Sequence, residues 1–291
     1  MMQIQKKELQ FVITMGNGAF GDSVSDTVTL SGLRASVSVA SVGGTAQGTA
    51  EIAIFGMSLD TMRRLTLVGP VNLQMAGANT VTVSAGDEGT ALSTIFAGSI
   101  FRAYAAMNQS PDVPFIITAQ SAGLIAIQPS PHNSIPAGTD VATVFSQLAT
   151  QAGLQFENSG VSQIMPHLYL TGSIWDQIKK AAQTAQVFFE VKGQTLAIWP
   201  QGIYRTMNVD TLELSPTTGM IGYPEWSESF ISIKNQFLPQ AALGQQMNIT
   251  GSVSPGANRS WSVLTINHVL ETITPMGQWF TNLTGFAFND Q

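Results

Sequence analysis

The chain has 291 residues, a formal net charge of −6 and no cysteine, and 10% of its residues are charged against 44% hydrophobic. Without Cys there is no disulfide scaffold or thiolate metal site, and three scattered histidines, His132, His167 and His268, leave little for zinc. The twelve Lys and Arg are adjacent only at Lys6-Lys7, Arg63-Arg64 and Lys179-Lys180, so there is no basic stripe. That excludes tight nucleic-acid binding, whose affinity comes mostly from counterions released by clustered phosphate contacts.

The charge density is far below the ~25% typical of soluble domains. One reading is that much of the surface is covered by neighbours, because small and uncharged polar residues suit large permanent contacts. The other is a free polar surface built from Ser, Thr, Gln, Asn and Gly. Residues 1–10 carry Lys6, Lys7 and Glu8 and no signal-peptide core. The longest apolar region, 91–106, is broken by Ser, Thr, Gly and Arg102 well short of the ~20 residues that span a bilayer. A soluble protein with no membrane insertion is expected. The length suits two or three domains at roughly 100 to 200 residues each.

From Glu8 to about Leu124, short runs of β-formers alternate with Gly, Ser, Asn and Asp, which predicts a β-barrel or sandwich. Strands are expected at 8–13, around Val37 and Val39, at 51–55, and as a hairpin of 71–75 with 80–83 around Gly77-Ala78-Asn79. Only 58–65 reads as helical, with Ser58 as its cap. The texture changes at Pro129-Ser130-Pro131. Val141, Val144, Phe145, Leu148 and Ala152 then mark one face of a helix that Gly153 stops. Ser173 and Asp176 form a capping box for a second helix that buries Ile174, Ile178, Ala181 and Ala185. Residues 187–191 and 195–199 make a hairpin across Lys192-Gly193. From Gln201 the strand pattern returns, punctuated by Gly and Pro, and predicts a second barrel, although no sequence repeat links it to the first.

Three motifs suggest chemistry, and each has a plainer reading. Gly16-Asn17-Gly18-Ala19-Phe20-Gly21 matches the dinucleotide fingerprint, which needs a following helix and an acidic residue about 20 positions on. Residues 23–30 alternate like a strand, and no Asp or Glu lies between Asp26 and Glu51, so a glycine-rich loop is expected. Ala119-Gln120-Ser121-Ala122-Gly123 resembles a relaxed nucleophile elbow, but 124–127 reads as a strand where that motif needs a helix. Asp87-Glu88, and Glu225 and Glu228 around Trp226, are expected on solvated turns and loops, not as the paired carboxylates of a glycosidase. Trp226 and Trp279 are expected as core or interface anchors. No catalytic, cofactor-binding or metal-ligating residue is expected.

Two stretches carry a family resemblance. The first is Glu51 to Met62, with Gly56-Met57-Ser58-Leu59-Asp60-Thr61-Met62 at its end, followed by Ile95-Phe96-Ala97-Gly98-Ser99-Ile100, Tyr104 and the proline-bounded Pro111 to Phe115. The second runs from Ser215-Pro216 through Tyr223-Pro224, Phe237-Leu238-Pro239 and Trp261 to Thr274-Pro275-Met276-Gly277-Gln278-Trp279-Phe280. In order and spacing they resemble the baseplate hub proteins of contractile-tailed bacteriophages, a family related to the N-terminal hub of type VI secretion spikes. The resemblance implies a mainly β fold in which two tube-like β-barrel domains, 1–124 and 203–291, flank a small α+β domain, 125–202. It implies a homotrimer forming a pseudo-sixfold ring between a hexameric tail tube and a trimeric spike, with a channel for DNA. The implied partners are the tail spike protein, the tail tube protein, the tape-measure protein and other baseplate proteins, in a virion assembled in the host cytoplasm. The spike is expected as a separate chain, because Gln291 follows the closing stretch directly. A hexameric tail-tube or distal-tail ring protein is the alternative, and a cell-wall hydrolase is a further one.

Overall fold

The computed structural model describes residues 6–16, 26–44, 46–66, 79–227 and 229–288. Most of the glycine-rich loop 16–21, the expected strand 71–75 and Glu228 lie outside them. Strand accounts for 47% and helix for 16%, which makes the protein mainly β. The chain divides into two compact units: 1–40, 48–127 and 268–279 form the first, and 41–47, 128–267 and 280–291 the second.

In the first unit β1 (Lys7–Thr14), β2 (Thr27–Leu30), β3 (Ala35–Val42) and β4 (Thr49–Phe55) are joined, after helix α1 (Leu59–Leu65), by β5 (Thr80–Asp87), β6 (Ser93–Ala105) and β7 (Pro114–Gln120). The strand order is β3-β4-β7-β6-β5-β1-β2, all antiparallel. Period-two alternation sends Leu9, Phe11, Ile13, Val37, Val39, Ile52, Ile54, Val81, Val83, Phe115 and Ile117 to one face, where each is almost fully buried. Helix α1 contributes Met62 and Leu65 to the buried set and is capped as expected, Ser58 Oγ accepting the Thr61 amide at 3.1 Å.

One expectation fails here. Gly123–Ile127 is a helical turn, α2, and not a strand. A run of four apolar residues fits either state. Local sterics choose the turn: Ala122 takes φ +56°, and Gly123 lies so close to Phe101 that an added Cβ would be 2.6 Å from the ring.

The second unit begins its secondary structure with β8 (Asn133–Ile135), β9 (Thr139–Asp140) and α3 (Val141–Gln151), followed by β10 (Gln155–Asn158), β11 (Ile164–Met165), β12 (Leu168–Leu170) and α4 (Ile174–Ala185). Val141, Val144, Phe145 and Leu148 form the buried face of α3, and Gly153 beyond it has φ +69°. The Ser173–Asp176 capping box is present on α4. A fully buried Gln177 receives a 2.7 Å hydrogen bond from Asn133, which also exchanges amide bonds with Gln151, so α3, α4 and β8 are tied by satisfied side chains. β13 (Val187–Lys192) and β14 (Thr195–Pro200) make the expected hairpin, with β10 parallel to β14.

Further along the chain come β15 (Leu212–Leu214), β16 (Glu225–Trp226), β17 (Phe230–Gln236), β18 (Gln246–Ile249), β19 (Ser260–Thr272) and β20 (Trp279–Phe286), which belong to this unit except for residues 268–279. They follow the order β16-β17-β20-β19, with β18 beside β19 and β15 parallel to β18. Leu212, Leu214, Ile231, Ile233, Met247, Ile249, Trp261, Val263 and Leu283 pack in one core with Ala197 and Trp199 from β14. Among the described residues, neither unit's sheet closes on itself.

Of the two expected roles for Trp226 and Trp279, core or interface anchor, the core role falls to a different tryptophan. Trp261 is fully buried, with its indole N–H donating to Ala257 O at 3.0 Å. Trp279 is only half-buried, with the Lys7 ammonium 6.0 Å from its ring, and Trp226 is 45% exposed. The buried phase of β20 starts at Thr281, so Trp279 sits at the strand's mouth and not in its core.

Candidate interaction faces

The motif residues that lie among the described ones have structural settings, whereas most of the glycine-rich loop 16–21 and Glu228 lie outside them. Contrary to expectation, β7, Ser121 and α2 do make a strand, turn and helix in succession. Ser121 is buried, however, and its Oγ accepts the Gly48 amide at 2.8 Å, which fastens the start of β4 to the end of β7. Among the described residues no imidazole or carboxylate is bonded to it. Asp87 is the last residue of β5 and pairs with Lys7, while Glu88 pairs with Lys6 at 2.7 Å. Glu225 is exposed on β16 and not in a loop. Among the described residues, no group of three His, Asp or Glu side chains is placed to hold a metal, and no helix is long and apolar enough to cross a membrane.

A cleft of about 410 Å³ in the first unit is lined by Lys6, Lys7, Glu271, Ile273, Pro275 and Trp279, among others. Its cations are paired to Glu88 and Asp87, and Glu271 accepts the Gln278 amide at 3.0 Å. The pairing with Glu88 holds Lys6 above the usual lysine pKa. A raised pKa disfavours the neutral Lys6 amine that a base or nucleophile needs.

One buried ionic cluster escaped the sequence reading. Arg205 donates to Glu190 at 2.6 Å and to Glu157 at 3.0 Å, and its guanidinium carbon lies 5.6 Å from the Trp199 ring centroid. Asn208 donates to the other oxygen of Glu157 at 2.9 Å. All three charged side chains are at least nine-tenths buried. They clamp β10 and β13 to the segment after β14, from residues 48 and 15 positions away from Arg205. No local pattern announces such a pairing.

The face of the first sheet opposite its core is an organised surface. Successive cross-strand neighbours Ala40, Thr49, Gln120, Ser99, Thr80, Thr14 and Thr27 cross it from β3 to β2. A parallel row contains Ala97, Thr82, Val12 and Thr29, and another Thr94, Ser84 and Gln10. Hydroxyls pair along them, Thr14 with Thr27 and Ser84 with Thr94, each at 3.2 Å. Val12, Ile116 and Tyr104 are larger apolar members. Its charged members include Glu8 at the rim and Glu51 and Arg102 in the row Ser38, Glu51, Thr118 and Arg102, where the Arg102 guanidinium lies 4.6 Å from the Tyr104 ring centroid; at the entry to β3, Arg34 lies 3.9 Å from the ring centroid of Phe55 and pairs with Asp112 at 3.0 Å.

The face is mostly uncharged, and Ser99 within it is buried beside Gly123 of α2. The family model for baseplate hub gp41 matches residues 8–274. The chain belongs to the baseplate hub gp41 family. Its fold resembles a tail protein from Neisseria meningitidis MC58, with TM-score 0.63 and 10% identity over 96% of each chain. It also resembles the 43 kDa tail protein of prophage MuSo2 from Shewanella oneidensis, with TM-score 0.60 and 7% identity over 95% of this chain and 96% of that one. A third similar fold is the E. coli c3393 protein, with TM-score 0.58 and 9% identity over 89% of this chain and 74% of the other. That protein is described as a type VI secretion component structurally similar to the T4 tail proteins gp27 and gp5. No curated protein sequence matches the chain. Family membership makes this a bacteriophage tail protein with a structural role in the baseplate hub.

Proposed function

We propose that three copies of the chain form a pseudo-sixfold ring that joins a hexameric tail tube to a trimeric central spike and leaves a channel for DNA. Each copy supplies two tube-like barrel domains around a central α+β domain, with boundaries near residues 124 and 202. The observation that carries this reading is the hub-family match over residues 8–274. The near end-to-end likeness to two tail proteins supports it at the level of fold. The type VI protein's stated likeness to gp27 and gp5 supports a spike protein as a neighbour. Tube, tape-measure and other baseplate proteins are the remaining partners, in a virion assembled in the host cytoplasm. Function then resides in shape and interface, not in turnover.

The test is to count copies. The purified chain, alone and with separately expressed spike protein, is weighed by native mass spectrometry and imaged by electron microscopy. Three copies around a channel, bound to spike at both 0.1 M and 1 M salt, are expected, since permanent interfaces rest on packing more than on exposed ion pairs. Six copies would favour the hexameric tube or distal-tail ring. Absence of a spike complex at either salt would overturn the hub role.

A further inference from the structure

We infer that the second unit binds one buried water, which donates a hydrogen to Oδ1 of Asn235 and forms part of the seat of the turn running from Ser215 to Gly222. On β17 the inward positions are Ile231, Ile233 and Asn235, so the third place in an apolar phase is taken by an amide. Asn235 is fully buried, and among the described residues no protein donor reaches its Oδ1. The other end of the amide is committed, because Nδ2 donates to the Gln236 carbonyl at 3.0 Å. That bond also fixes which end is oxygen. Turning the amide over would set Oδ1 against the Gln236 carbonyl, acceptor against acceptor, and leave a buried NH2 group where the oxygen had been. Burying an acceptor with no donor forfeits its hydration, so such groups in native proteins are met by a protein donor or by ordered water.

The surroundings suit a water. A metal ion would need about six oxygen ligands, whereas the nearby carbonyls of Gln236 and Gly219 already accept from Asn235 Nδ2 and from the Gln236 amide. Thr281, the cross-strand partner of Asn235, is fully buried on the same side, and its hydroxyl oxygen accepts the Leu238 amide at 2.9 Å. It gives the water a second polar neighbour. Gly219 roofs the amide: it is half-buried, and a Cβ there would lie 3.3 Å from Asn235 Nδ2. The amide is therefore one glycine deep, which gives water a short way in. The bonds that hold the turn run beside it, the Gln236 amide to the Gly219 carbonyl at 2.9 Å and the Ile221 amide to the Lys234 carbonyl at 2.8 Å, with Met220 bridged to Asn235. A water on Asn235 thus sits under the turn where β17 grips it.

The experiment is a crystal structure of the full chain at a resolution that orders solvent, beside those of Asn235→Val and Asn235→Ser. In the wild type one ordered water is expected at about 2.7 to 3.2 Å from Asn235 Oδ1. Asn235→Val removes the acceptor from a position flanked inward by Ile233, and the water should be lost. Asn235→Ser keeps an oxygen and should retain a water. A wild-type structure with no water at Oδ1, the oxygen either dry or taking a protein donor, overturns the inference. A water that survives in Asn235→Val is held by other groups, and its assignment to Asn235 fails. If the valine variant does not fold, the wild-type and serine structures decide between them, and a dry site in either one sinks the proposal.

Discussion

Gly244 and Trp199 meet where no side chain fits: a Cβ added to Gly244 would lie 2.5 Å from the indole Cε2, and the glycine's φ is +74°. The Gly244 carbonyl accepts the Arg205 amide at 2.8 Å, so the backbone cannot retreat without loosening the segment that carries the ionic clamp. Gly244→Ala therefore faces backbone strain and a steric clash together. Gly202, at φ +82° with nothing within 4 Å, faces strain alone. Urea denaturation should find Gly244→Ala less stable than Gly202→Ala by about 1 to 3 kcal/mol, the usual cost of overpacking. Equal costs would show that Trp199 gives way.

Arg205→Met should destabilise by about 3 to 5 kcal/mol, because Glu157 and Glu190 would be left buried without their cation. Adding Glu157→Gln and Glu190→Gln to the same chain should recover a large part of the loss. A triple variant no more stable than Arg205→Met would mean that the arginine acts through packing on Trp199, 5.6 Å away, and not through charge.

Trp261→Ala should cost about 3 to 5 kcal/mol, as expected for emptying a fully buried aromatic site. Trp279→Ala, at a half-buried strand mouth, should cost clearly less. Melting of the two purified variants gives the order directly, and the reverse order would restore Trp279 as the anchor of the closing strand.

Asp176 is held below the usual carboxylate pKa by its hydrogen bond to Lys179, 2.9 Å away, and then by the Ser173 hydroxyl. With the folded value lowered, the stabilisation is fully present above the unfolded value of about 3.9 and is lost as pH falls through the folded one. The pair is exposed, so the effect should be below about 1 kcal/mol. Thermal melts of wild type and Asp176→Asn should differ at pH 6 and converge toward pH 2. A difference that does not change with pH would assign it to helix capping alone.

The sequence by itself determined what short-range physics controls. Ser58, and Ser173 with Asp176, announce their helices because a cap needs only its own three neighbours. The alternation of Leu9, Phe11 and Ile13, or of Val37 and Val39, assigns a face because side chains on a strand point alternately to its two sides. The scarcity of Lys and Arg limits how much charge any face can carry, but does not say which face is rich in threonine and serine. That required the register that sets Thr49 beside Gln120 and Thr80 beside Ser99. Tertiary structure alone decided that Arg205 would meet Glu157 and Glu190, that Trp261 and not Trp279 would fill the core, and that 123–127 would coil. Each depends on partners distant in sequence, such as Phe101 beside Gly123, and no local window contains the energy of such a contact.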